Sequence, residues 1–321
     1  MTGPVWTVVV LPGHGPGVLP TAALPAIRDA ENLYADDTVS GELVDELGAR
    51  PLDEWFGHTP KRRQILFTTS YDPGNPITAG AEVIPTPAAA LLDAVAVMDR
   101  LRSPGGCPWD AEQTHESLLR YLVEECYELY QAIEDGDPAG IREELGDVLL
   151  QVLFHARIAE PGFDVDDVAA DLVAKLVGRH PHVFAGTETV DSVERQEHRW
   201  EELKRTEKQR GSSVDGVATV QPAVALAAKL TSRTAKAGLP DSLLPPGRGV
   251  GEQLFALAAR AMLSGVDPEA QLRTAALAFA ADVRAAEIAA RAAGLDPHAL
   301  DEAAWRRFWP AAPSPDISRS L

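Results

Sequence analysis

What most restricts this 321-residue chain is a pair of acidic spacings: Glu125 and Glu128 lie in LVEECYEL, and Glu144 and Asp147 lie in REELGDVL. Each pair is three residues apart within an apolar pattern of helical period, so each projects from one side of a helix, about 60° apart. If the two helices pack antiparallel through their apolar stripes, both pairs converge at one rim of the contact. Four carboxylates drawn together repel one another unless a cation sits among them. The expected ion is Mg²⁺, with Mn²⁺ as the alternative, and its expected use is to hold a polyphosphate while a metal- or base-activated water attacks phosphorus. Glu124, next in line, is the candidate to orient a ligand or take the water's proton.

An isolated ExxE or ExxD in a chain of net charge −19 is ordinarily a solvated helix rim. Its company shifts the balance here. Lys175 and Arg179, four residues apart, can hold phosphate oxygens, although alone they read as surface charges. The run HPHVF follows at once (His180 to Phe184); its histidines either contact phosphate or satisfy a turn, and do not suit a hard cation. Trp200 and Lys204 repeat the spacing of four. Trp200 and the Trp109 of CPWD each stack on a base or sugar, or fill a core.

Around these motifs the chain reads as mainly α. Trp6 to Leu11 is a β-branched run, expected as a buried strand; Leu24 to Tyr34 is expected as a helix, and Pro51 to Val83 as loop or short strands. Helices are expected from Thr86–Pro87 to about Leu101, and from about Thr114 to Ile133 with a core stripe of Leu119, Leu122, Cys126, Leu129 and Ile133. The next opens at Asp137-Pro138 with the stripe Ile141, Leu145, Val148, Leu149 and Val152, followed by one from Asp164 to near Gly178. SPGGCPWD is expected as a loop. Asp191 with Glu194 opens a helix to about Gln209, GSSVDG is a linker, and three or four Ala-rich helices complete the chain.

The stretch RLRSPGGCPWDAEQTHESLLRYLVEECYELYQAIEDGD, then EELGDVLLQVLFHARIAE, KLVGRHPHVF and RWEELKRTEK, resembles the MazG-like nucleoside triphosphate pyrophosphohydrolases over roughly Pro87 to Arg210. The family pattern EExxE…ExxD is met by Glu124, Glu125, Glu128, Glu144 and Asp147. The resemblance implies an all-α catalytic domain, Mg²⁺ dependence and a helical homodimer. It implies hydrolysis between the α- and β-phosphates of a nucleotide, giving a nucleoside monophosphate and pyrophosphate. Glu125, Glu128, Glu144 and Asp147 match the family's metal ligands, Lys175 and Arg179 its phosphate contacts, and Trp200 and Lys204 its nucleotide-side residues. Clearance of non-standard or oxidised nucleotides, or control of NTP and dNTP pools, is the expected role. Turnover of dUTP or phosphoribosyl-ATP, and nucleotide sensing or an adaptor role without turnover, are the alternatives.

The C-terminal third resembles a second copy stripped of its chemistry. Leu230–Asp241 parallels Met98–Asp110, Arg248–Leu257 parallels Glu143–Leu153, and Gly265–Ala270 parallels Gly162–Asp167. PDSLLPPGRG stands where the first acidic helix belongs; Gly249 replaces Glu144, and only Glu252 answers to Asp147. Ala278 and Asp282 stand where the basic pair belongs. This half is expected to be structural or to serve dimerisation. At the other end, WTVVVLPGHGPGVLPTAALPAIRDAENLYADD is similar to the opening of tetrapyrrole methylases, but the stretch before Pro85 is too short for such a domain. An inactive remnant is expected, without S-adenosylmethionine.

Three domains follow: a small α/β remnant at 1–84, a catalytic MazG-like helical domain at 85–211, and a degenerate helical domain at 212–321. The acidic balance argues against gripping nucleic acid or an anionic membrane surface. No apolar stretch is long enough to span a membrane, and no signal peptide is evident. Cys107 and Cys126, too few for a disulfide framework, point to a reducing cytoplasm.

Overall fold

The computed structural model describes residues 6–14, 17–55, 62–75, 78–185 and 211–310. The chain divides into two compact units, Met1–Thr189 and Val190–Leu321. It is mainly α, with a small parallel sheet at its start.

The first unit opens with β1 (Trp6–Val10), α1 (Leu24–Asp29), β2 (Asn32–Ala35), α2 (Gly41–Leu47), β3 (Arg50–Pro51), β4 (Gln64–Thr68) and β5 (Glu82–Pro85). All strand pairs are parallel, in the order β3-β2-β4-β1-β5. The central strands β1 and β4 are covered on both faces, as parallel strands normally are. Val9, Leu11, Ile65 and Phe67 pack on one side with Ala23 and Ala26; Trp6, Val8, Leu66 and Tyr34 pack on the other.

One expectation is corrected here, and a second is met. The stretch from Leu24 to Tyr34 is not one helix: α1 ends at Asp29, and Asn32–Ala35 pairs with β4. The helical spacing in this stretch is real for one and a half turns. The β-sheet then claims Leu33 and Tyr34, because pairing with β4 buries Tyr34. The region read as loop or short strands holds β4, the most deeply buried strand of the sheet.

From the sheet the chain runs into α3 (Ala89–Arg102). It begins later than expected because Ala88 takes a left-handed conformation, φ 56°, just ahead of it. Asp93 on α3 accepts hydrogen bonds from the backbone N–H groups of Gly13 (2.9 Å) and His14 (2.6 Å), joining the loop after β1 to the helical part. SPGGCPWD is not wholly loop: Pro108–Glu112 forms α4, with proline at its first position where no N–H is needed. Gly106 is required there, since a Cβ would lie 2.2 Å from the Leu101 carbonyl oxygen.

Two long helices dominate the unit, α5 (His115–Asp135) and α6 (Pro138–Ala159). Thr114 and Ser117 cap α5 reciprocally, Gly136 ends it at φ 65°, and the Asp137 side chain caps α6 with Pro138 at N1. Two linking residues leave α6 no course but to return antiparallel along α5. Then come α7 (Val165–Arg179), capped by Asp164, and the single turn α8 (Pro181–Phe184). The helix expected from Asp191 to Gln209 lies outside the described residues.

The apolar stripes fall elsewhere than expected. Leu119 and Ile133 are each 57% exposed, Cys126 is exposed, and Leu145, Leu149 and Val152 lie at the surface. The core of the hairpin is instead Leu118, Leu153 and Phe154, closed by Met98 of α3. Leu122, Leu129, Ile141 and Val148 are half-buried.

The second unit contains α9 (Ala223–Lys236), α10 (Val250–Leu263), α11 (Pro268–Ala292) and α12 (Glu302–Phe308). Between α9 and α10 only a 3-10 turn, Asp241–Leu243, interrupts the loop. Its buried contacts are largely alanine: Ala227, Ala228, Ala258, Ala259, Ala286 and Ala290. Among the described residues, no helix is long and apolar enough to cross a membrane.

Candidate functional site

The antiparallel hairpin of α5 and α6 sets the register of the site. His115, at the start of α5, meets His155 near the end of α6, with Nδ1 atoms 2.8 Å apart and rings within 7° of parallel. One ring must donate and the other accept, so at most one of these two nitrogens carries a proton. Burial, and then the neighbouring His115, push the His155 imidazole below its usual range, which favours the neutral form.

Further along the same contact, Glu125 of α5 meets Glu144 and Asp147 of α6. One carboxylate oxygen from each lies within 4.8 Å of the others, and all three residues are half-buried. Glu128, one turn beyond Glu125, is exposed, and its charge acts on both Glu125 and Glu144. The Glu125 carboxyl is raised above the usual range, first by burial and then by Asp147, Glu128 and Glu144. Glu144 is raised in the same way, by burial and then by Glu128, Asp147 and Glu143. Its Oε2 is enclosed and meets no hydrogen-bond donor. This donor set is all oxygen, negatively charged and, among the described residues, not ion-paired, which is what a hard divalent cation requires. The three acids and the orphaned oxygen fit such an ion.

The other sequence-predicted positions are spread over neighbouring elements. Glu124 lies next to Glu125 but is turned to solvent. Lys175 is exposed on α7, whereas Arg179, one turn on, is buried. His180 Nδ1 is 2.7 Å from the Leu176 carbonyl oxygen and its ring meets that of His182, so this run closes the end of α7. Trp109 of α4 stands 50% exposed, edge-on to Tyr121 (6.2 Å) and Phe154 (6.4 Å). Arg102 donates to the carbonyls of Asp110 and Gln113, holding α4 in place. Trp200 and Lys204 lie outside the described residues.

Reading the sequence for apolar stripes missed three polar residues of this contact, His115, Gln151 and His155. A signal was available. Glu144, Asp147, Gln151 and His155 recur at intervals of three and four, so polar residues themselves trace the inward face of α6.

Comparison with known proteins places this hairpin in a family. The model of the MazG nucleotide pyrophosphohydrolase domain matches residues 113–184, which span α5 to α8. The chain is 45% identical over 329 residues to the nucleoside triphosphate pyrophosphohydrolase of Mycobacterium tuberculosis, covering 95% of each chain. It is 46% identical over 272 residues to the protein of that name from Mycolicibacterium smegmatis, covering 76% of this chain and 80% of that one. To the nucleoside triphosphate pyrophosphohydrolase/pyrophosphatase MazG of Thermotoga maritima it is 37% identical over 211 residues, or 58% of this chain and 80% of the relative. With an acidic hairpin at its centre and near full-length kinship of this order, the chain belongs to the MazG nucleoside triphosphate pyrophosphohydrolase family.

Proposed function

We propose that this chain is a Mg²⁺-dependent hydrolase that splits nucleoside triphosphates between the α- and β-phosphates, releasing a nucleoside monophosphate and pyrophosphate. The observation that carries the reading is the convergence of Glu125, Glu144 and Asp147, with Glu144 Oε2 left unpaired. Glu125, Glu128, Glu144 and Asp147 would hold the ion, and Mn²⁺ suits the same oxygens. When bound, the ion offsets the carboxylate charge and polarises phosphoryl oxygens, stabilising the charge that develops in phosphoryl transfer.

The chain's own residues supply the rest. Glu124, at the solvent side of the cluster, orients the attacking water or takes its proton. Lys175 and Arg179 neutralise phosphate oxygens, and Trp109 contacts the nucleoside, a role the family resemblance also gives to Trp200 and Lys204, outside the described residues. The half-exposed Trp109 ring supports that assignment. Nucleotide-pool housecleaning, by removal of non-canonical or oxidised nucleotides, is the role this reaction serves.

A homodimer completes the reading. Leu119, Val123, Tyr127, Tyr130 and Ile133 of α5, with Leu145, Leu149 and Val152 of α6, present an apolar surface to solvent around the catalytic hairpin. A second copy is the partner this surface fits; the chain engages neither nucleic acid nor membrane. The proposed domains are the α/β remnant 1–84, the catalytic 85–211 and the degenerate 212–321, in which the missing acidic helix supports a structural role. Two free cysteines suit a reducing cytoplasm.

The test is incubation of purified protein with a panel of NTPs and dNTPs plus Mg²⁺, separating pyrophosphate from orthophosphate. Pyrophosphate with monophosphate supports the proposal. Orthophosphate overturns it, and binding without release assigns the chain to a sensing or adaptor role.

A further inference from the structure

The loop leaving β1 reads LPGHGPG, from Leu11 to Gly17. It stands where open parallel sheets ordinarily take a ligand. From β1 the chain passes over β4 to reach β2, and from β4 it passes over β1 to reach β5. Two adjacent strands thus send their connections in opposite directions, and the crevice at the carboxyl ends of such a pair is the usual binding position.

In this chain that position is filled from within. The backbone N–H groups of Gly13 and His14 donate to the two carboxylate oxygens of Asp93, at 2.9 Å and 2.6 Å. Successive amides aimed at one anion are the means by which loops bind phosphate and carboxylate groups, and bonds to a charged acceptor are among the stronger ones. A Cβ on Gly13 would lie 3.6 Å from Thr69 Cβ and 3.7 Å from Asp93 Oδ2. Gly13 therefore sits between the loop after β4 and the carboxylate, in the crevice itself.

A second tie holds the other end of the same loop. Thr86, 5% exposed, donates its hydroxyl to the Val18 carbonyl at 3.3 Å. Between the two ties lies Ala88 at φ 56°, a conformation that a residue other than glycine keeps only where its surroundings hold it there. Further along α3, Met98 enters the core of the α5–α6 hairpin, and Asp99 accepts from Arg157 of α6 at 2.8 Å. The helix is thus fastened to the sheet loop near its start and to the hairpin near its end.

We propose that the glycine-rich loop after β1 is an anion-binding site whose occupant is the chain's own Asp93. The α/β segment is then a fixed brace for α3 and not a receptor for a free carboxylate or phosphate. This holds whether or not the chain hydrolyses nucleotides.

The experiment follows thermal unfolding of the full-length wild type and Asp93→Ala in sodium chloride and in sodium acetate at equal ionic strength. In chloride the variant should melt lower by roughly 4 °C or more. Acetate, entering the vacated site, should raise the variant's melting point by roughly 2 °C more than that of the wild type. A variant that melts with the wild type overturns the brace, and an acetate effect no greater in the variant than in the wild type overturns the anion site. Amide hydrogen exchange in the wild type carries the test even where the alanine variant does not fold. Exchange at Gly13 and His14 should be slowed at least roughly tenfold relative to a freely exposed amide, and exchange at the free rate overturns the proposal.

Discussion

The hairpin of α5 and α6 and the pair α9 and α10 bring helices together by opposite means. In α5 and α6 the contact carries Glu125, Glu144, Asp147, Gln151 and a histidine pair, and the main apolar core is set to one side around Leu118, Leu153 and Phe154. In the second unit small side chains fill the contacts: Ala258 and Ala259 of α10, Ala227 and Ala228 of α9, and Ala286 and Ala290 of α11. Alanines let helix backbones approach closely and gain dispersion and burial without any ligand. Carboxylates in the same place work against the fold until a cation joins them. The lesson is that the buried contacts of one unit call for a ligand the chain does not contain, whereas those of the other need none.

The sharpest way to break this contrast is to remove a carboxylate from the first unit. Glu125→Ala or Asp147→Ala should lower pyrophosphate release by roughly a thousandfold or more. Helical content by circular dichroism should persist, because neither side chain belongs to the apolar core. In the second unit the sensitive change is one of volume. Ala259→Leu, at a fully buried position, should cost about 1–3 kcal/mol in denaturant unfolding through overpacking, while pyrophosphate release survives where the protein is folded.

A subtler effect separates the two kinds of contact by pH. Glu144 is raised above its ordinary value of 4.5 in the folded protein. A raised carboxyl supports the folded state while protonated, and that support is lost as pH rises through the folded value. Metal-free wild type should therefore weaken from mildly acid to neutral pH. Glu144→Gln should melt higher than wild type at neutral pH, by a few degrees, with the gap closing as pH falls toward 4.5. Added Mg²⁺ should raise the wild-type melting point and leave that of Glu144→Gln nearly unmoved. The smallest effect is expected at Glu252, the one acid of the second unit that answers to a member of the acidic cluster by sequence. It accepts from the Arg248 N–H at the start of α10, so Glu252→Ala should cost about 0.5–1 kcal/mol of stability and no activity.

The helices of the first unit were legible because their ends are chemically marked. Asp137-Pro138 and Asp164 each sit where the chain starts a helix, and the acid spacings fixed which faces carry charge. The inner faces were not legible from apolar periodicity. Leu119, Cys126 and Ile133 repeat with helical spacing, but that stripe faces outward in the single chain, and a polar stripe faces inward. A sequence pattern reports that a face will be covered without saying whether its own chain or a partner covers it. β2 escaped notice for a different reason. Leu33 and Tyr34 extend a helical pattern locally, and only pairing with β4, some thirty residues on, makes them strand. Gln151 went unread because one amide in an apolar run has no pattern, and its burial emerges only in the folded chain.

The central claim is that the acids of α5 and α6 are held together by a divalent ion. Calorimetric titration of chelator-treated protein with Mn²⁺, beside Glu125→Ala and Glu144→Ala, tests it most directly. Saturable binding by the wild type, loss of that binding in both variants, and recovery of pyrophosphate release as the wild-type site fills are the results predicted. Full activity in the presence of excess chelator, or undiminished Mn²⁺ binding after either substitution, would contradict the account.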